Sequence, residues 1–95
     1  MQRVTIVDQI ELKPGPFVYL RMGLCIADGD VIVGEPRWHR TSFRHDTDVE
    51  ATMALVNTHL ATMGEAPVPA DEIQRIKRAV AFHMAEYPVD ADPAD

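Results

Sequence analysis

The sequence predicts an α+β fold: an antiparallel three-stranded β-meander followed by two amphipathic helices packed on one of its faces. Three observations lead there. Apolar residues alternate with period two up to Thr47 and recur at helical spacing after it. Two turn signals, Pro14-Gly15-Pro16 and Asp28-Gly29, cut the alternating part into three runs. The charge changes at the same point: residues 1–47 hold six acids and six bases, whereas residues 48–95 hold nine acids and three bases. Strand runs followed by helix runs segregate in this way.

In the first run, Arg3–Leu12, the even positions Val4, Ile6, Ile10 and Leu12 are apolar, so the even face is expected inward. Asp8 interrupts that face and marks either a bulge or a paired carboxylate. In Phe17–Ile26 the even positions Val18, Leu20, Met22, Leu24 and Ile26 are again apolar. A three-residue loop at 14–16 would pair Leu12 with Val18 and Ile10 with Leu20. A two-residue turn at Asp28-Gly29 would pair Ile26 with Val31 and Leu24 with Val33, so odd positions face inward in the third strand. Pro36 lacks a donor and fits an edge strand or a bulge. With that register continued, Trp38 lies opposite Tyr19 and Arg40 opposite Phe17, all four on the outer face.

Thr47-Asp48-Val49-Glu50 has capping-box form and opens the first helix. Its stripe is Val49, Met53, Val56, Leu60 and Met63, and Gly64 is placed to end it. The second helix starts near Pro69, with Asp71 and Glu72 favourable at its N-terminus. Its stripe is Ile73, Ile76, Val80, Met84 and Tyr87; His59 and His83 lie beside the stripes, and His83 reads as a boundary residue packing its ring. Residues 1–87 form a single α+β domain. The last residues, 88–95, are small, acidic and proline-broken, and read as a disordered acidic tail.

Composition narrows the function. The chain has 95 residues, 46% apolar and 25% charged, the balance of an ordinary folded domain. A net charge of −6 argues against nucleic acid as the main ligand. One cysteine excludes an internal disulfide, and Cys25 reads as a small hydrophobe in a strand. No apolar run approaches the ~20 residues of a membrane helix, so a small soluble intracellular or virion domain is expected.

The densest polar cluster is Arg37–Asp46. His39, His45 and Asp46 or Asp48 are metal-ligand types, but on a strand the two histidines stand about 20 Å apart. A charged edge strand is the preferred reading, with no metal, no cofactor and no enzymatic activity expected. Phe82 points away from its helix stripe, and Phe17, Tyr19 and Trp38 sit beside Arg21 and Arg40. Aromatic rings mixed with arginine suit protein interfaces. Phe17, Tyr19, Trp38, Arg40 and Phe82 are therefore the candidate partner-binding residues, for a protein partner or self-association.

The motifs Pro14-Gly15-Pro16-Phe17, Asp28-Gly29-Asp30, His39-Arg40-Thr41 and Val56-Asn57-Thr58-His59-Leu60 resemble small uncharacterised tail-region proteins of proteobacterial phages and prophages. The resemblance covers the first two thirds of the chain. It implies a viral setting and a structural or accessory role, tail-associated, acting by protein–protein docking. Two rival functions follow from the residues. One is a small acidic inhibitor of a host defence or nucleic-acid-binding complex, using Asp71, Glu72, Glu86, Asp90 and Asp92. The other is a metal-dependent enzyme built on His39 and His45.

Overall fold

The computed structural model describes residues 1–88; all but the first residue of the expected tail lies outside them. The elements are β1 (Gln2–Leu12), β2 (Phe17–Asp28), β3 (Val31–Arg44), α1 (Val49–Thr62) and α2 (Ala70–Glu86). The sheet is antiparallel in the order β1-β2-β3, so β2 is central and β3 and β1 are edges. This is the predicted α+β meander with two helices.

The first hairpin has the expected register, with Leu12 opposite Val18 and Ile10 opposite Leu20. The pairing then shifts by one between Val7 and Gln9. Asp8 is the extra residue of a bulge, and an extra residue reverses which side chains face the core. Thr5 and Val7 are buried ahead of it, and Ile10 and Leu12 pack on the core after it. The expected inward face at Val4 and Ile6 is thus corrected; Ile6 is on the outer side, beside Gly23.

The second hairpin corrects the expected register. Asp28 pairs with Val31 and Ile26 with Val33, making Gly29-Asp30 the two-residue turn. A second shift lies between Leu24 and Ile26, where β3 carries extra residues around Gly34, whose φ is +74°, and Pro36. Trp38 therefore stands opposite Gly23 rather than Tyr19, and Arg40 opposite Arg21 rather than Phe17. The displaced turn and the two extra residues of β3 each change the register by two, which preserves parity, so these side chains stay on the outer face and Phe43 is in the core.

Val31 and Val33 are not core residues as expected; Val31 is 64% exposed. The reason is length. Fourteen strand residues reach about 45 Å, but helices of fourteen and seventeen residues span only about 21 and 26 Å. The helices cover the end of the sheet near the β1–β2 turn and leave the β2–β3 tip bare, with Ile26, Val31, Ile32 and Val33 exposed. The molecule measures 55 × 22 × 19 Å.

Under the helices, Val18, Leu20, Met22 and Leu24 of β2 pack with Met53 and Leu60 of α1 and Ile76 and Val80 of α2. The cap of α1 is Asp48, not Thr47: its carboxylate accepts the Ala51 N–H at 3.2 Å. At the other end Gly64 N–H bonds Ala61 O and Glu65 N–H bonds Leu60 O, a Schellman closure around a φ of +75°. On α2 the buried row is Ile76, Val80 and His83, so His83 replaces Met84, which is 38% exposed. The helical layer is tied to β1 by polar bonds as well. The Thr5 hydroxyl donates to Ala66 O at 2.6 Å, and Arg75 Nη2 donates to Val7 O at 2.9 Å.

Candidate functional site

Among the described residues no helix covers the outer face of the sheet. Its side chains come in rows fixed by the strand pairing: Ile6, Gly23 and Trp38; then Arg21 and Arg40 beside Asp8; then Glu11, Tyr19 and Ser42; then Phe17 and Arg44. Phe17, Tyr19 and Trp38 remain 41%, 38% and 49% exposed, as the alternation requires.

Each ring carries a cation. Lys13 Nζ is 5.1 Å from the Tyr19 centroid, the Arg21 guanidinium 4.5 Å from Trp38, and that of Arg44 6.0 Å from Phe17. Each cation is in turn paired with a carboxylate. Arg21 Nε donates to Asp8 at 2.8 Å, Arg44 Nε donates to Asp46 at 3.1 Å, and Lys13 lies 3.6 Å from Glu11. The bond from Arg44 holds the Asp46 carboxyl below its ordinary range. The rings are thus presented as ring–cation–carboxylate sets, which add Lys13, Arg44 and the carboxylates to the aromatic–arginine mixture expected from sequence.

Arg40 is different. It stands directly across from Arg21, a like-charge juxtaposition that is unfavourable unless one member turns away. Arg21 does so, towards Asp8 and Trp38. Among the described residues Arg40 makes no ion pair. It borders a groove of about 330 Å³ lined also by Gln9, Lys13, Tyr19, Arg21 and Ser42.

Phe82 is 63% exposed but lies on α2, in the layer on the opposite side of the sheet. Four of the five candidate residues therefore share one face, and Phe82 does not join them. The exposed hairpin-tip residues Ile26, Ile32 and Val33 were missed by sequence reasoning. The available signal was the mismatch in length between strand and helix runs.

The Arg37–Asp46 cluster is dispersed. His39 stacks near His59 of α1, with ring centroids 5.6 Å apart, whereas His45 turns into the core against His83. Among the described residues no three His, Cys, Asp or Glu side chains converge as metal ligands. His83 is not a boundary residue but fully buried. Cys25 is buried, and burial followed by the Glu65 carboxylate pushes its thiol up. Glu65 itself is buried between Arg3 of β1 and Arg37 of β3, each at 3.2 Å. Of the acids considered for an inhibitor, Glu72 is paired with Arg75, Asp71 and Glu86 are exposed, and Asp90 and Asp92 lie outside the described residues. No described helix is long and apolar enough to cross a membrane. Searches against protein-family models, curated proteins and solved structures find no match for this chain.

Proposed function

We propose that this chain is a non-enzymatic accessory protein of a phage or prophage, tail-associated, which acts by docking its outer sheet face on a second copy of itself. The viral setting rests on the turn motifs in the sequence. The docking rests on one observation: the uncovered ribbon is polarised along its length. Its tip, residues 26–36, carries Asp28, Asp30 and Glu35 and no base. The middle is apolar, with Ile6, Gly23 and Trp38 in a row. On the side away from the tip the next row is Arg21–Arg40, with Arg40 free of any ion pair among the described residues. Reversed against itself about a two-fold axis, such a face puts acid on base and apolar on apolar. Closed two-fold contacts are the commonest symmetric assembly, and an exposed apolar patch rimmed by charge is what an interface buries.

Molar mass by light scattering across micromolar to millimolar concentration tests this. A dimer is expected, weakened by salt because exposed charges are screened. Trp38→Ala should weaken it by more than ~1 kcal/mol, about fivefold. Arg40→Glu should weaken it too, and adding Asp30→Arg to that variant should restore part of the affinity. A monomer at every concentration, or a mass unmoved by Trp38→Ala and Arg40→Glu, overturns the reading.

A further inference from the structure

The core holds two titratable side chains that the docking face does not use. His45, just after β3, is 1% exposed and His83, in the last turns of α2, is 0% exposed. Their Nδ1 atoms are 2.8 Å apart, and His83 Nε2 is 2.6 Å from the Lys13 carbonyl oxygen. A carbonyl only accepts, so His83 Nε2 carries the proton and its Nδ1 is the acceptor. His45 Nδ1–H must then donate to it, which leaves His45 Nε2 as a buried lone pair. That atom has no partner among the described residues.

We propose that His45 and His83 form an acid-sensitive latch on the β1–β2 turn, closed when both rings are neutral and released when the pair takes up a proton. The two histidines grip the same turn from two sides. The His45 backbone N–H donates to Pro16 O at 2.8 Å, and the His83 ring donates to Lys13 O. A single added proton has nowhere good to sit. On His45 Nε2 it makes a buried donor with no acceptor. On His83 Nδ1 it either opposes the His45 Nδ1–H or drives His45 to the tautomer with that same orphan Nε2–H. An unmade buried donor costs about 1–3 kcal/mol, more when charged.

The surroundings do not rescue the cation. Burial first, and then His83, hold the His45 ring below its usual 6.5; Asp46 opposes this and Arg44 adds to it. Asp46 is itself occupied by Arg44. Just after α2 the titratable neighbour is Tyr87, its ring 5.2 Å from His83. The β1–β2 turn supplies Lys13, whose ammonium faces Glu11 and Tyr19. A group with a depressed folded pKa contributes its stability above the unfolded value. That contribution declines as pH falls below about 6.5 towards the folded pKa.

The test is denaturant unfolding of the wild-type chain from pH 7.5 to pH 5, beside His45→Gln and the double variant His39→Gln/His59→Gln. The wild-type unfolding constant should rise below pH 6.5 by up to about tenfold per pH unit, one proton's worth. The double variant should keep that slope and His45→Gln should lose it. A flat wild-type profile, or a slope that His45→Gln retains, overturns the latch. Should His45→Gln fail to fold, the imidazole nitrogen resonances of the wild type decide. Protons on His45 Nδ1 and His83 Nε2 at pH 7.5, with local loss of amide protection at His45 and Tyr87 on acidification, support it; any other tautomer pair overturns it.

Discussion

The Trp38 ring lies over Gly23: a Cβ on that glycine would come 3.2 Å from Trp38 Cζ3 and 3.0 Å from Ile6 Cγ1. The absence of a side chain in the central strand is what lets Trp38 lie down and stack under Arg21. Gly23→Ala gains up to about 1 kcal/mol from lost backbone freedom in the unfolded chain. It also crowds two partly exposed side chains that can swing away. The net stability change should stay within about 1 kcal/mol, with Trp38 displaced from Arg21. Tryptophan emission, reporting the only tryptophan in the chain, should shift; unchanged emission would show that the ring does not depend on the glycine.

Glu65 is the buried member of a three-residue charge set, its side chain 3% exposed against 55% for Arg3 and 68% for Arg37. The cost of breaking the set depends on which side is removed. Glu65→Gln keeps an acceptor and frees two arginines that water already reaches, so about 1 kcal/mol should be lost. Arg3→Ala with Arg37→Ala strands a buried carboxylate, and about 3 kcal/mol or more should go. Each single arginine variant should lose much less than half of that, because the other arginine compensates. Equal losses for the two single variants and half the double loss each would refute the shared-cation picture.

Gly64 holds φ at +75° between the last turn of α1 and Glu65. Nothing lies within 4 Å of the position a Cβ would take, so crowding is not the issue. The left-handed backbone alone should make Gly64→Ala destabilising by about 1 kcal/mol. A urea midpoint unchanged from wild type would mean that the turn relaxes freely.

The fold was legible in the sequence where local chemistry decides it. Pro14-Gly15-Pro16 set the first hairpin's register, and the alternation in Phe17–Leu24 set the inner face of β2. The second hairpin was not, because Asp28-Gly29 and Gly29-Asp30 are equally good two-residue turns. The choice falls on packing beyond the turn. The outer-face position of Phe17, Tyr19, Trp38 and Arg40 was legible by parity, which the register error left intact. The Arg21–Trp38 contact was not, since it depends on the true β2–β3 register. The His45–His83 contact spans 38 positions, and residues that far apart leave no periodic trace.

Asp8 separates two effects that a single residue rarely keeps apart: a side-chain ion pair and a backbone bulge. The carboxylate pairs with Arg21, both side chains about a third exposed, and such pairs contribute under about 1 kcal/mol. Asp8→Ala should therefore cost little, and Trp38 emission should report a loosened Arg21. Deleting Asp8 removes the bulge without moving the pairing. Val7 still meets Met22 and Gln9 still meets Arg21, now as consecutive pairs with Val7 inward and Ile10 inward. What is lost is the Arg21 ion pair and the local bend of β1. The deletion should therefore cost little more than the alanine variant, within about 1 kcal/mol, read as the difference in denaturant midpoints. A far lower midpoint for the deletion would mean that the bend itself seats β1 under the helices.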